Sequence, residues 1–213
     1  MHDVVSRLRG RLQHGLATQE ILDRLARRGI VLYPYLVFQE FAEVQFSAEQ
    51  VSNPFRARQL TENDTAQLTA MPDRPRTEAG IRERFRLGHV GIGAFEQDSI
   101  VAYTWCDLQK LSSPGQGSAL RPLERDEAYM YDAYTIPRCR GRGLVPFLRS
   151  EVYKVMQTLG RRRLYSVSVL FNRPARRFKA KLGAREVELR LSINLFQKFK
   201  RDVLLKRYPP AAR

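Results

Sequence analysis

One turn of the sequence carries residues whose types and spacing suit the binding of phosphate groups. It reads Arg138, Cys139, Arg140, Gly141, Arg142 and Gly143. Glycines let the backbone come close to a ligand, and arginines add positive charge around it. The turn lacks the Gly-Lys-Ser/Thr of a P-loop and the third glycine of a dinucleotide fingerprint, so neither of those motifs describes it.

The flanking patterns place this turn between a strand and a helix. Residues 128–136 are rich in tyrosine and favour a strand, while residues 144–159 carry leucines and valines on one helical face. Backbone N–H groups at the start of a helix have no acceptor within it and carry partial positive charge. The layout therefore predicts an anion site where the helix begins.

The segment from Pro137 to Val145 resembles the pyrophosphate loop of the GNAT superfamily of N-acyltransferases, which use acyl-CoA. The family pattern, Gln/Arg-x-x-Gly-x-Gly/Ala, is placed on Arg140 to Val145, where Gly143 matches and Val145 replaces glycine or alanine. That departure implies tighter packing beside the phosphate. A second register that starts at Arg138 fits every letter, but the spacing from Pro137 favours the first.

A second stretch extends the resemblance downstream. It looks like the family's strand-to-helix asparagine and the helix that follows, and its residues are Asn172, Ala175, Phe178, Lys179 and Gly183. The likeness covers residues 55–197 and implies an α/β (α+β) fold: a mixed, mostly antiparallel central sheet of about six to seven strands flanked by helices. Around this domain we expect an N-terminal helical and strand extension at 1–54 and a basic tail at 198–213.

The resemblance implies an enzyme that moves an acetyl or other acyl group from acyl-CoA to an amine by direct attack in a ternary complex. The residues it assigns to acyl-CoA are Tyr134, Thr135, Ile136, Arg138, Arg140, Gly141, Arg142, Gly143, Leu144, Val145, Ser168 and Asn172. In the family, backbone N–H groups of the strand before the turn stabilise the oxyanion, a role that falls near residues 134–136. Ser168 and Asn172 are implied to bond the pantetheine arm.

Proton transfer in this reaction needs a base for the amine and an acid for the leaving thiolate. Glu127 and Asp132 are the candidate bases, and their alternatives are a surface carboxylate and a buried hydrogen-bonded group. Relatives often carry a tyrosine seven residues after the asparagine as the acid, but this sequence has Lys179 there. Lys179 is therefore a candidate acid, and Tyr131 is a candidate substitute for it.

The composition is that of an ordinary globular protein with an uneven charge. The 213 residues are 43% hydrophobic and carry a net charge of +15. Residues 1–137 hold 16 Lys and Arg against 18 Asp and Glu, whereas residues 138–213 hold 21 against 4. The excess predicts an anionic partner for the last third of the chain, such as cofactor phosphates, an acidic carrier protein, nucleic acid or a membrane surface.

Several classes of protein do not fit the sequence. It has no apolar run of the roughly 18 residues that a membrane span needs, and no apolar region of a secretory signal, so we expect a cytoplasmic protein. Cys106 and Cys139 are then expected as reduced thiols. No Cys or His lies at ligand spacing, so we expect no metal site.

Three questions stay open at the level of sequence. The acyl donor could be an acyl-carrier protein or an aminoacyl-tRNA, and the fold could instead serve as a nucleic-acid-binding module without catalysis. Residues 1–54 could form a lid over the acceptor cleft, the arm of a homodimer, a membrane-surface helix or a segment packed on its own domain. The identity of the acceptor amine and the acyl chain length are not readable from these motifs.

Overall fold

The computed structural model describes residues 16–43, 55–73, 76–114 and 119–209. The strands are β1 Ile30–Phe41, β2 Phe55–Gln59, β3 Val90–Glu96, β4 Ser99–Asp107, β5 Lys110–Ser112, β6 Ala119–Pro122, β7 Glu127–Thr135, β8 Arg163–Val169, β9 Arg185–Leu195 and β10 Phe199–Arg207. The helices are α1 Leu16–Arg27, α2 Thr65–Thr69, α3 Glu78–Arg86, α4 Leu144–Thr158 and α5 Arg173–Lys181. No helix in these ranges is long and apolar enough to cross a bilayer.

The chain forms two compact units that alternate along the sequence. The larger unit comprises Gln39–Ser112 and Ala119–Ser166, and the smaller unit takes its described residues from Met1–Phe38, Ser113–Ser118 and Val167–Arg213. Residues 1–15 of the predicted N-terminal helix lie outside the described residues, while α1 confirms its second part. The domain boundaries expected at 54 and 197 stay a prediction.

The larger unit is built on five strands in the order β8-β7-β4-β3-β2. The neighbouring strands are antiparallel except β7 and β8, which run parallel from the pair Glu127–Arg163 to the pair Met130–Ser166. The predicted mixed, mostly antiparallel sheet is therefore confirmed. A parallel neighbour requires a crossover connection, which is the turn and helix α4.

Helices α2 and α4 bury apolar faces in the core of the larger unit. Leu68 of α2, Leu144 and Met156 of α4, and Trp105 of β4 belong to one buried apolar cluster. A 3-10 turn at Glu62–Asp64 leads directly into α2, and it is capped because the carboxylate of Asp64 accepts the N–H of Thr61 at 2.7 Å. These contacts fix both helices against the sheet that carries the turn.

The smaller unit contains α1, α5 and the strand order β10-β9-β1. Strand β10 occupies most of the segment that the sequence predicted as a tail, and it pairs antiparallel with β9 from Phe199–Leu195 to Arg207–Glu188. Asp202 anchors it, since its carboxylate accepts from Arg190 at 2.7 Å and from Tyr35 at 2.8 Å. Strands β1–β4 and β7–β10 make eight sheet strands, which corrects the expected six to seven.

Candidate functional site

The arginine–glycine turn has the backbone geometry that exposes N–H groups. After β7, residues Pro137–Cys139 form a short 3-10 turn, and Gly141 and Gly143 then adopt φ values of +76° and +74°. Residues with a side chain pay about 1–2 kcal/mol in this left-handed region. A Cβ added at Gly141 would meet no heavy atom within 4 Å, so the backbone there borders open space.

Helix α4 begins directly at this turn and supplies the N–H donors. Gly143 is its N-cap, and the N–H groups of Leu144 and Val145 have no acceptor within the helix. Pro146, the third helical residue, has no N–H and therefore leaves no third donor unsatisfied. The turn thus presents a cluster of backbone donors at the positive end of a helix dipole.

Two adjacent cavities border the turn within the larger unit. The first, of about 230 Å³, is lined by Thr135, Cys139, Arg140, Gly141, Gly143, Leu144, Val145 and Pro146. The second, of about 350 Å³, is lined by Tyr103, Thr104, Ala133, Tyr134, Thr135, Arg140, Val145, Leu148, Arg149 and Val152. They share Thr135, Arg140 and Val145, so the space beside the turn continues along β7. The combined space falls in the size range of small-molecule sites.

The three arginines of the turn have different partners. Arg140 lines both cavities, and its Nε donates to the Thr135 carbonyl at 3.1 Å. Arg138 and Arg142 instead form ion pairs with Glu96 at the end of β3, the second at 3.1 Å. The hydrogen bond from Arg138 is the largest cause that lowers the pKa of Glu96. One arginine therefore faces the cavities, while a carboxylate holds the other two.

The backbone N–H groups at the end of β7 differ in direction and in hydrogen-bond partner, and they include those that the resemblance assigns to the oxyanion. The N–H of Ile136 donates to the carbonyl of Val101 at 3.0 Å, and the role of Ile136 toward acyl-CoA stays a prediction. Successive N–H groups of a strand point to opposite edges, so the N–H of Thr135 points away from β4. The pairing of β7 with β8 ends at Met130–Ser166, and β7 continues to Thr135.

Glu127, the first candidate base, lies in a cluster of cations at the start of β7. The residue is 2% exposed, and its carboxylate accepts from Arg121 at 2.6 Å and from Tyr165 at 3.0 Å. Arg163 lies 3.1 Å away on the paired strand. Burial raises the pKa of Glu127, but the hydrogen bonds from Arg121 and the backbone outweigh burial, and the net shift is downward. These contacts favour a structural anion over a proton acceptor.

Asp132, the second candidate base, sits at an irregularity of β7. Its φ is +51°, and the β4–β7 register shifts here, between Tyr103 and Trp105 of the partner strand. Its carboxylate is bound by two guanidinium groups, those of Arg76 and Arg84, the latter at 2.6 Å. Asp132 therefore links β7 to α3 and to the segment before it.

Tyr131, the adjacent candidate, has a different environment. Its hydroxyl is hydrogen-bonded to Nδ1 of His89, and Nε2 of the same ring lies 3.3 Å from Asp107. The sequence motifs single out neither His89 nor Asp107. Burial raises the pKa of Tyr131, so its hydroxyl stays protonated at neutral pH.

The remaining candidates belong to the smaller unit. Lys179 is buried, its Nζ donates to the carbonyl of Val167 at 2.9 Å, and it lies 4.7 Å above the ring of Phe38. Asn172 caps α5 by accepting the N–H of Ala175 at 3.2 Å. Ser168, on β8, is 8% exposed. Asn172 lies between a strand and a helix, and Lys179 lies in that helix, as the sequence predicted. The roles of all three side chains toward acyl-CoA stay predictions.

The sequence matches no family model and no curated protein, but the structure resembles solved ones. A GNAT-family protein of Novosphingobium aromaticivorans aligns over 78% of this chain with a TM-score of 0.54 and 22% identity. The chain has the GNAT fold. A tandem GNAT protein of the clavulanic acid pathway gives 0.53 at 13% identity over 76%, and a Drosophila protein gives 0.54 at 14% over 84%. The chain spans 66%, 54% and 57% of these three proteins, respectively.

Two groups that contact the turn or β7 carry no local sequence pattern. Glu96 binds Arg138 and Arg142 from more than forty positions away, and His89 reaches Tyr131 across a similar separation. No local pattern connects such residues.

Proposed function

We propose that the protein transfers an acyl group from acyl-CoA to an amine by direct attack in a ternary complex. The observation that carries this proposal is the turn itself. Gly141 and Gly143 adopt left-handed conformations beside open space, and the N–H groups that begin α4 border a cavity. Such a turn fits a diphosphate, because backbone donors and the helix dipole both favour negative charge there.

The cavity that continues from the turn along β7 fits the remainder of the donor. Its walls are largely apolar through Val145, Leu148 and Val152, which suits a pantetheine arm and an acyl group. Arg149 adds one charge to the wall and is held 2.9 Å from the buried Glu40. Acyl-CoA would supply the thioester, while the chain binds and orients it.

The N–H of Thr135 is the oxyanion donor of this proposal. It points away from β4 at the end of β7, where pairing with β8 has already stopped. A preorganised backbone donor stabilises the negative charge that develops on a carbonyl oxygen during attack. The proposal uses Thr135 and not Ile136, because the N–H of Ile136 is already bonded to Val101.

A thiol-release assay tests the proposal. Acetyl-CoA would be incubated with the protein and a panel of primary amines: a polyamine, a lysine peptide, a peptide with a free α-amino group, an amino sugar and single amino acids. We expect CoA release that depends on one class of amine, with the acylated amine detected by mass spectrometry. Absence of release for the whole panel, together with absence of CoA binding in calorimetry, would contradict the proposal.

The exposed cations of the smaller unit support a second donor class. Arg173, Arg177 and Lys181 are exposed on α5, and Lys200 and Arg201 are exposed on β10. Such a surface suits an acidic carrier protein or a charged tRNA. Turnover with an acyl-carrier protein or aminoacyl-tRNA, without turnover with acyl-CoA, would favour this donor. A non-catalytic nucleic-acid module would instead show salt-dependent binding and no transfer.

A further inference from the structure

A chain of three titratable side chains runs inward from β7. The hydroxyl of Tyr131 is hydrogen-bonded to Nδ1 of His89, whose ring stands at 88° to the tyrosine ring with centroids 5.6 Å apart. Nε2 of His89 lies 3.3 Å from Oδ2 of Asp107. The side chains of His89 and Asp107 are 11% and 3% exposed, so the inner part of the chain is shielded from water.

The partners of each atom define where the protons lie. Oδ1 of Asp107 accepts the N–H groups of Gln109 at 2.8 Å and Lys110 at 3.1 Å, which fixes the carboxylate and leaves Oδ2 for His89. A carboxylate at Nε2 favours the tautomer with the proton on that nitrogen. Nδ1 is then an acceptor, and the hydroxyl of Tyr131 donates to it.

Tyr131 lies on β7 just after the last residue that pairs with β8. The last β7–β8 pair is Met130–Ser166, so Tyr131 is the first residue of β7 beyond that pairing. The other three predicted catalytic side chains have other partners. In the larger unit, Glu127 pairs with Arg121 and Asp132 pairs with two arginines. In the smaller unit, Lys179 donates to a backbone carbonyl. Among the four, Tyr131 is the one that is hydrogen-bonded to a histidine.

We propose that Tyr131, His89 and Asp107 form a proton relay that deprotonates the acceptor amine. The inference rests on the proposed acyl transfer and adds to it the route by which the amine becomes a nucleophile. Tyr131 is the group that contacts the amine, whereas His89 and Asp107 act through it as positioning and proton-holding residues. None of the sequence motifs assigns His89 or Asp107 to the reaction.

The step balances in protons and bonds. The ammonium of the acceptor gives one proton to the oxygen of Tyr131, and the tyrosine gives its own proton to Nδ1 of His89. His89 becomes an imidazolium beside the Asp107 carboxylate, and the neutral amine attacks the thioester carbonyl. The C–N bond forms, the C–S bond breaks, and a second amine proton goes to the sulfur. The imidazolium then returns its proton to Tyr131 as the original proton leaves to water.

Burial and the charges around His89 determine the direction in which its pKa shifts. Burial lowers the pKa of His89, and Arg84 and Lys110 lower it further, whereas Asp107 and Glu83 raise it; the net shift is downward from 6.5. The guanidinium of Arg84 also lies 5.3 Å above the ring of Tyr131. His89 is therefore neutral at pH 7 and able to accept a proton, and it loses that ability only as the pH falls below 6.5.

The test compares pH profiles of variants with the best amine of the panel and acetyl-CoA. His89→Gln keeps a hydrogen-bonding side chain but cannot carry a proton, and Tyr131→Phe removes the first hydroxyl. We expect kcat to fall about 100-fold or more in each, with KM for acetyl-CoA unchanged within about twofold. The acidic limb of the kcat/KM profile that belongs to His89 should disappear in His89→Gln. Tyr129→Phe, whose ring stacks on Tyr131 at 5.7 Å, is the matched control and should keep that limb.

A spectroscopic readout separates the relay from the proposed function. ¹⁵N NMR of histidine-labelled protein reports the tautomer, and His89 is assigned by its loss in His89→Gln among three histidines. We expect the tautomer with hydrogen on Nε2 and a change in the Nδ1 signal in Tyr131→Phe. Normal turnover and an unchanged acidic limb in His89→Gln would overturn the relay and leave acyl transfer intact. Absence of turnover with every amine would overturn the acyl transfer and the relay with it.

Discussion

Nη1 of Arg142 lies 3.1 Å from Oε1 of Glu96, so a carboxylate at the end of β3 holds a guanidinium of the arginine–glycine turn. Arg138 binds the other oxygen of the same carboxylate. Any anion that binds at the turn must therefore compete with Glu96 for these two arginines.

The substitution Glu96→Gln should tighten the binding of CoA. It removes a negative charge from the rim of an anion site and releases Arg138 and Arg142 toward the diphosphate. We expect the Kd for CoA in calorimetry to fall about two- to fivefold at low salt, since the exposed pairs are weak and screened. The gain should shrink as salt is added.

Glu83→Gln is the matched control for charge. Glu83 is also an exposed carboxylate paired with an arginine, Arg86, at 2.6 Å, but it lies on α3. We expect no change in the Kd for CoA. Equal tightening in both variants would mean that net charge, and not the contact with Arg138 and Arg142, governs binding.

Gly141→Ala should weaken CoA binding more than it weakens the fold. An alanine at a φ of +76° costs about 1 kcal/mol of unfolding free energy, and its Cβ meets no protein atom. The new methyl group would occupy the space that we assign to the diphosphate, so affinity should fall about tenfold. Urea unfolding and calorimetry measure the two effects separately.

Gly160→Ala provides the comparison at the other end of α4. Gly160 has a φ of +70°, and an added Cβ there also meets nothing within 4 Å. The loss of unfolding free energy should match that of Gly141→Ala, while the affinity for CoA stays at its normal value. Parallel losses of affinity would show that backbone strain alone explains the first variant.

Glu127→Gln should destabilise the protein without changing the pH dependence of turnover. The buried carboxylate stabilises Arg121 and Arg163, so its loss should cost about 2 kcal/mol of unfolding free energy at pH 7. The pKa of Glu127 is lowered in the fold, so this stability is present above its ordinary pKa of 4.5 and is lost as the pH falls through the lower value.

Urea unfolding at several pH values checks this sign. The difference between the wild type and Glu127→Gln should be largest near neutrality and should narrow below about pH 4.5. Glu78→Gln, at an exposed pair with Arg82, should change stability by less than about 0.5 kcal/mol. A shifted kcat profile in Glu127→Gln, at full stability, would restore Glu127 as the base.

Local parts of the fold could be predicted because their partners are close in the sequence. Thr61 and Asp64 lie within one turn, and these side-chain types are typical of the capped turn that leads into α2. Gly141 and Gly143 adopt positive φ values, as expected of glycines between a strand and a helix. The structure confirms the strand–turn–helix unit and the mixed sheet.

Other features depend on partners that no local pattern reveals. Strand β10 has four Lys and Arg residues, Asp202 and no regular alternation, so the sequence predicted a basic tail, whereas the structure pairs it with β9. The partner of Tyr131 is forty-two positions away at His89. Glu127 is the first residue of β7, one position before the strand predicted at 128–136, and the three residues that surround it come from β6 and β8.

The most direct test of the central claim is a calorimetric titration of the protein with CoA and with pantetheine, which lacks the diphosphate and the nucleotide. If the donors of the turn bind a diphosphate, CoA should bind about tenfold or more tightly than pantetheine, and Gly141→Ala should remove most of that difference. Equal affinity for the two compounds, or no binding of CoA, would contradict the account.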